Sequence, residues 1–494
     1  MNDIVSVDPR TGGTVEVVGS ETGTGGVDAL CRAAARAGRA FGADRAERAR
    51  LLHAVADALD GRREEIVDTA DRETALGRTR LAGELTRTTY QIRLFAAAVT
   101  DGGYLEAIID HPADTPMGLR PDLRRMLVPI GPVAVFGASN FPLAFGALGG
   151  DTAAALAAGC PVVVKAHPSH PATSRLVVEI ANGAGLPAGV LGLVYGQQAG
   201  ADLVQHPAIR AVGFTGSLRG GRALHDLAAA RPDPIPFYGE LGSINPVVVT
   251  PAAATERGDD IAAGLVASFT LGNGQFCTKP GLVFLPAGAR LHEDIAALVR
   301  QTPSGWLLDG RVQAGFSTRV GELGRHTTLL AHGRPAEGAG FLGTPALFAV
   351  SASTMDSDVT DEAFGPATVL VSYADTTELL EALGRLPASL TATIHTGTDE
   401  TDLPALLLEA LRDRTGRVVW NGFPTGVAVA AAMHHGGPYP ASTSIHTSVG
   451  TTSIRRFLRP LAFQSTPDSQ LPPELREGNP LRIPRMVDGR QQAS

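Results

Sequence analysis

Hydrophobic and polar positions fall into two patterns along this chain. From about residue 27 to residue 100 the apolar positions recur at helical spacing. Between Ala46 and Ala70, Leu51, Leu52, Val55 and Leu59 share one face, and Arg, Asp and Glu take the other. After a polar, proline-bearing connection comes a strand-like segment, Arg124 to Gly137. Short apolar runs at Val133–Phe136, Val162–Val164, Leu191–Tyr195 and Ala211–Phe214 then alternate with Ala-rich stretches of helical character. Strands that recur every ~20–30 residues with helices between them predict βαβ units and a parallel sheet, the α/β class. Such sheets bind ligands at the carboxyl ends of their strands.

A second α/β block starts near Asn245, passes through a helix expected to end at Cys277, resumes in a strand at Gly281–Pro286 and runs to about Gly426. Residues 427–494 are rich in Gly, Pro, Ser and Thr and show no clear period. So long a segment is either disordered or laid over another surface.

Composition narrows the function classes. At roughly 150 residues per domain, 494 residues hold two to four domains. A chain 44% hydrophobic and 19% charged has material for a large core, which excludes intrinsic disorder. The net charge of −8, with no stretch of clustered Lys/Arg and aromatics, argues against nucleic acid as a partner. The longest apolar runs, such as Val427 to Met433, fall far short of the ~18–20 residues that span a bilayer, so no membrane association is expected. The start, MNDIVSVDPR, has no secretory character, and a soluble cytoplasmic protein is expected. Three cysteines (Cys31, Cys160, Cys277), odd in number and without a C-x-x-C, exclude a disulfide framework and a structural zinc site. Of 42 basic residues only Lys165 and Lys279 are lysine, so each invites a chemical explanation.

Six segments offer chemistry. Asn140, in the loop Gly137–Pro142 after a predicted strand, stands where a side-chain amide can meet a developing oxyanion, or where it caps a helix. Lys165, directly after the run Val162–Val164, suits a ribose or phosphate, or simply snorkels at a strand end. Thr215, Gly216 and Ser217 join a strand to a predicted helix at Leu218–Ala230, whose free N–H groups suit a pyrophosphate, although no G-x-G-x-x-G is found in such a setting. Glu240, between Gly239 and Gly242, is a general base if desolvation raises its pKa and a solvated turn acid otherwise. Cys277 is flanked by Gly272, Gly274 and Thr278, which leaves a thiol open to substrate; Cys160 and Cys31 sit in apolar, inert surroundings. Glu362 and Phe364, in Asp361–Pro366, place an acid and an aromatic at a turn.

Taken in order, these motifs resemble the aldehyde dehydrogenase superfamily: Ser139-Asn140-Phe141-Pro142, Val164-Lys165, Phe214-Thr215-Gly216-Ser217, Glu240-Leu241-Gly242, Gly274-Gln275-Phe276-Cys277 and Glu362-Ala363-Phe364-Gly365-Pro366, with Asn421 where the family has a late Asn. The resemblance covers almost the whole chain. Phe237–Pro246, Gly274–Gly281 and Arg456–Pro460 resemble one branch, the 2-oxoglutarate semialdehyde (2,5-dioxopentanoate) dehydrogenases. The resemblance implies a Rossmann-like cofactor domain at 1–119 and 130–244 and a catalytic domain at 245–426. It also implies a small β oligomerisation extension built from 120–129 and 427–494, and a homodimer or homotetramer. It implies NAD(P)-dependent oxidation of an aldehyde to an acid, with no metal. Cys277 forms the thiohemiacetal and thioester, Asn140 and the cysteine backbone N–H hold the oxyanion, and Glu240 activates water. Lys165 would bind the adenosine ribose, Thr215, Gly216 and Ser217 the pyrophosphate, and Glu362 and Phe364 the nicotinamide end.

Two departures matter. Pro168 stands where NAD-preferring members often carry an acid, so NADP is favoured over NAD. In Thr443–Gly450 the Arg that the branch commonly uses for a remote carboxylate is missing and His446 stands nearby, which leaves a different specialised aldehyde open. Three rivals remain: a CoA-acylating reductase, against which Glu240 argues; a catalytically silent binding or structural protein; and a thiol hydrolase, which needs a His base near Cys277 that no motif supplies.

Overall fold

A computed structural model describes residues 2–492. The helical region resolves into four helices, Thr24–Ala43, Arg45–Gly61, Arg63–Thr74 and Arg78–Asp101. Leu51, Leu52, Val55 and Leu59 are all buried on the inner face of the second. An antiparallel hairpin, Asp3–Val7 with Thr14–Ser20, precedes them; its short, weakly alternating strands gave no clear signal in the sequence.

The four apolar runs become strands Val133–Phe136, Val162–Lys165, Leu191–Val194 and Ala211–Thr215, and Phe237–Glu240 adds a fifth. All pair in parallel. Val133–Phe136 is central, with later strands added first on one side and then on the other. The crevice where that order reverses lies between Val133–Phe136 and Ala211–Thr215, the place where open α/β sheets take ligands. The segment Arg124–Gly137, expected as one strand, is two: Leu123–Pro129 and Val133–Phe136 belong to different sheets, separated by Ile130, Gly131 and Pro132.

The second block is a seven-stranded sheet ending in Thr415–Trp420, parallel except for the edge strand Thr328–His332. Its long helix, Pro251–Thr270, stops short of the thiol. A 3₁₀ turn, Leu271–Gly274, follows, with Gly272 and Asn273 at positive φ, so Cys277 lies in a loop and not on a helix end. Residues 427–492 are laid over the rest of the molecule. Leu458–Gln464 pairs antiparallel with Leu123–Pro129 in a sheet that also holds Ala107–Asp110, Arg485–Val487 and Arg490–Gln492. Among the described residues no helix is long and apolar enough to cross a membrane.

Candidate active site

Loops leaving the five-stranded sheet and segments of the second block line one cavity of about 350 Å³. Asn140, Thr215, Gly216, Ser217, Glu240, Cys277, Glu362 and Phe364 all face it. Eight of the nine residues singled out in the sequence are thereby brought together. The ninth, Lys165, ends its strand as expected but lines an adjoining groove with Pro168, Ser169 and Tyr195. Asp309 and Arg311 border both spaces, so groove and cavity are continuous.

Cys277 is held by its neighbours' backbone. Asn245, buried and at φ 51°, donates through Nδ2 to the carbonyls of Cys277 (2.7 Å) and Lys279 (3.0 Å). Its Oδ1 accepts from Ser243 Oγ at 2.7 Å, which fixes the amide. Asn140 Nδ2 donates to the carbonyl of Gln275 at 2.8 Å, two residues before the thiol. No helix begins at Asn140; the next starts at Gly150, so the capping alternative is excluded and the side chain belongs to the cavity.

Glu240 closes its strand and is 3% exposed. The later segment Ala441–Thr443 runs alongside it: Leu241 N donates to Ala441 O and Thr443 N to Gly239 O. That pairing brings Ser442 Oγ to Glu240 Oε2 at 3.1 Å. Arg456, fully buried, donates through Nη2 to Glu240 Oε1 (3.0 Å) and through Nη1 to Asp151 Oδ1 (2.5 Å). Asp151 presses on the strand at Gly213, where a Cβ would meet its carboxylate at 2.8 Å. Burial pushes the Glu240 carboxyl up to about 8, against the pull of Arg456 and Ser442. The solvated-turn alternative does not hold.

Cys277 is half-buried, and the burial of its sulfur, with Glu362 and Glu240 adding, pushes the thiol up to about 12, which favours the neutral form. His435 Nε2 lies 3.6 Å from Sγ, and burial together with Arg417 and Arg87 drives its imidazole down to about 3. The expectation that no histidine stands near Cys277 is therefore corrected. His446 packs edge-on against Tyr238 outside the cavity. Asn421 is tied to Arg257 and Thr396 and does not reach the thiol's cavity. Lys279 is buried and donates to Ala367 O at 2.6 Å; it answers to Glu362, whose carboxyl burial raises and Lys279 partly restores. Cys31 and Cys160 are buried, as their apolar neighbours implied.

Ser217 caps the helix Leu218–Ala229 through Oγ to Gly220 N (3.2 Å), leaving the helix N-terminus beside the cavity. The Glu362 carboxylate packs close to Gly242, where a Cβ would meet Oε2 at 2.7 Å. The two adjoining spaces together present a helix N-terminus at Ser217, the Glu362 carboxylate, the Phe364 ring, Lys165 and Arg311, a donor set suited to a dinucleotide.

Comparison with known proteins gives the same picture. The family described as "Aldehyde dehydrogenase family" matches residues 2–459. "Alpha-ketoglutaric semialdehyde dehydrogenase 2" of Azospirillum brasilense is 47% identical over 479 residues, 93% of this chain and 91% of that protein. "Alpha-ketoglutaric semialdehyde dehydrogenase" of Acinetobacter baylyi is 45% identical over 462 residues, covering 90% and 87%. Among solved structures, a 1-pyrroline-5-carboxylate dehydrogenase from Thermus with bound NAD superposes with a TM-score of 0.80 at 24% identity, covering 94% of this chain and 90% of that one.

Proposed function

This chain belongs to the aldehyde dehydrogenase family, whose members oxidise aldehydes to acids with NAD(P), and we propose that its substrate is 2-oxoglutarate semialdehyde. The observation that carries the chemistry is the meeting of Cys277, Asn140 and Glu240 on one cavity. The semialdehyde is the one named for the two curated relatives.

In this reading Cys277 gives up its proton to solvent and Sγ adds to the aldehyde carbon. His435 Nε2, 3.6 Å away and driven down to about 3, is too weak a base to hold that proton and instead packs beside the sulfur. The Asn140 amide, one N–H engaged by Gln275 O, turns its other toward the oxyanion together with the backbone N–H of Cys277. Lys165, Ser217, Glu362 and Phe364 would hold NAD(P), which when bound would supply the hydride acceptor for the carbon attached to Cys277. The product is a thioester on Cys277. Glu240 then takes a proton from water, which attacks the acyl carbon and frees the acid and the thiol. Ser442 and Arg456 hold that carboxylate in place.

NADP is the favoured nucleotide. Pro168 lies in the groove with Lys165 and Arg311, two cations that suit a 2′-phosphate. The sheet containing Leu123–Pro129 and Leu458–Gln464 serves as the oligomerisation extension of a homodimer or homotetramer. It takes Ala107–Asp110 from the cofactor domain expected at 1–119 and 130–244, and a catalytic domain (245–426) stands beside them. The test of the whole reading is an aldehyde panel with both nucleotides. Reduction of NAD(P) with release of free 2-oxoglutarate supports it; release of an acyl-CoA, or no turnover of any aldehyde, overturns it.

A further inference from the structure

Oxidising a dicarboxylic semialdehyde needs a cation for the remote carboxylate, and Thr443–Gly450 carries no arginine. Two arginines from distant parts of the chain stand near the thiol instead. Arg87 comes from the helix Arg78–Asp101 and Arg417 from the last strand of the seven-stranded sheet. Both grip one short loop. Arg87 Nη1 donates to Val427 O, while Arg417 donates through Nη1 to Gly426 O (3.0 Å) and through Nη2 to Pro424 O (2.6 Å). That loop is tied to the residue after the nucleophile, since Gly426 N donates to Thr278 Oγ1 at 3.2 Å. Both guanidinium charges are felt at Cys277 and at His435. Neither arginine lines the cavity where Ser217, Glu362 and Phe364 stand.

What remains free on these side chains is specific. Arg87 Nε and Nη2, and Arg417 Nε, are buried without a hydrogen-bond partner. Buried charged donors left unpaired are costly, so they are kept where a ligand satisfies them. Nε and Nη2 form the side-on edge of a guanidinium, the fork that receives a carboxylate through two parallel hydrogen bonds. With Nη1 anchored on Val427 O, Arg87 presents that fork intact. Arg417, anchored at both Nη atoms, keeps a single N–H. A 2-oxo acid group offers a matching set, two carboxylate oxygens and a neighbouring ketone oxygen. Four carbon–carbon bonds put that carboxylate roughly 5 Å from the aldehyde carbon, within reach of groups beside the thiol.

We propose that Arg87 and Arg417 are the receptor for the 2-oxo acid end of the substrate, Arg87 holding the carboxylate through Nε and Nη2 and Arg417 donating from Nε to the 2-oxo oxygen. The assignment rests on the aldehyde-oxidising reading above and adds the groups that choose among aldehydes.

The experiment measures kcat/KM of the full-length protein with NADP for 2-oxoglutarate semialdehyde, glutarate semialdehyde (a methylene in place of the ketone) and pentanal. Arg87→Gln is expected to lower the ratio of either acid aldehyde to pentanal by roughly 10²–10³-fold, the loss seen when a buried charge pair is left without one partner. Arg87→Lys, which keeps the charge and loses the fork, recovers only part of it. Arg417→Gln narrows the preference for the 2-oxo compound over glutarate semialdehyde more than that for glutarate semialdehyde over pentanal. Thermal unfolding of each variant checks that it folds. If Arg87→Gln and Arg87→Lys lower all three substrates by one factor, or if the wild type oxidises pentanal as well as the 2-oxo acid, the receptor is overturned while aldehyde oxidation stands. If no aldehyde reduces either nucleotide, the underlying reading falls first.

Discussion

Cys277 Sγ and His435 Nε2 lie 3.6 Å apart, and both groups are neutral at rest. With the thiol at about 12, thiolate is scarce at pH 7, which protects the nucleophile from adventitious alkylation. Iodoacetamide is therefore expected to label Cys277 slowly at pH 7 and progressively faster as the pH rises toward the thiol's range, as followed by mass spectrometry. With its imidazole driven down to about 3, His435 is too weak a base to take the thiol proton, so His435→Gln is expected to leave the first-turnover rate of NAD(P)H formation nearly unchanged. A rate that falls roughly tenfold or more makes the imidazole the proton acceptor after all.

Glu240 is expected to set the pH dependence of deacylation. Its carboxyl is raised to about 8, so the base form is the minor one at neutral pH, and the hydrolytic step should climb with pH through about 8 and then level. Glu240→Gln should leave the first turnover and slow the second step by roughly 10²–10⁴, with the acyl-enzyme visible by mass. The same shift has a sign in stability. Between 4.5, the ordinary value, and about 8 the native protein keeps a proton that the unfolded chain releases, so this contribution is full below 4.5 and is lost as pH rises through 8.

Asn140→Ala should lower kcat by roughly 10²–10³, about 2.7–4 kcal/mol of transition-state stabilisation, when aldehyde oxidation limits turnover. Because Asn140 Nδ2 also ties to Gln275 O, Asn140→Ser is the companion that separates the two roles. Rescue of folding without rescue of rate assigns the loss to the oxyanion.

Arg456→Met leaves Glu240 and Asp151 without their shared partner. Above pH 8, where Glu240 is ionised, stability is expected to fall by about 3–5 kcal/mol, the cost of breaking a buried ion pair from one side, as measured by denaturant unfolding. A loss near zero shows that the two carboxyls already hold protons in the native state.

The nucleotide preference is tested at the far end of the groove. Lys165→Ala and Arg311→Ala are each expected to lower kcat/KM for NADP more than for NAD. Equal losses, or a wild type that strongly prefers NAD, overturn the assignment of a 2′-phosphate to that end.

Local runs such as Val162–Val164 made the parallel sheet legible, because a doubly covered strand is apolar on both faces and stands out without an alignment. The nine site residues were legible only together: singly each reads as well as a helix cap, a strand end or a solvated turn, and it is their order along the chain, resembling that of aldehyde dehydrogenases, that singles them out. The other half of the site was hidden. Asn245 reads as an ordinary turn residue until its positive φ aims Nδ2 at the Cys277 carbonyl. Arg87 is one of several arginines in its helix, and nothing in its neighbourhood announces that its Nε and Nη2 are covered and unpartnered while the residue as a whole is half-buried. His435 and Ser442 come from a segment without periodicity, and their approach to Cys277 and Glu240 depends on how that segment crosses the sheet edge. Long-range placement of this kind leaves no local trace. The break at Ile130–Pro132, between strands of two sheets, falls on the Pro129-Ile130-Gly131-Pro132 punctuation, a turn signal that a reading of the apolar positions alone passes over.

His435, Ser442 and Arg456 all reach the centre from the segment that a ribosome makes late. An emerging polypeptide already holds Cys277 and Glu240 but has no shared guanidinium to quiet the carboxylates and no imidazole beside the sulfur. Synthesis must therefore pass Arg456 before the guanidinium that joins Glu240 to Asp151 can take its place.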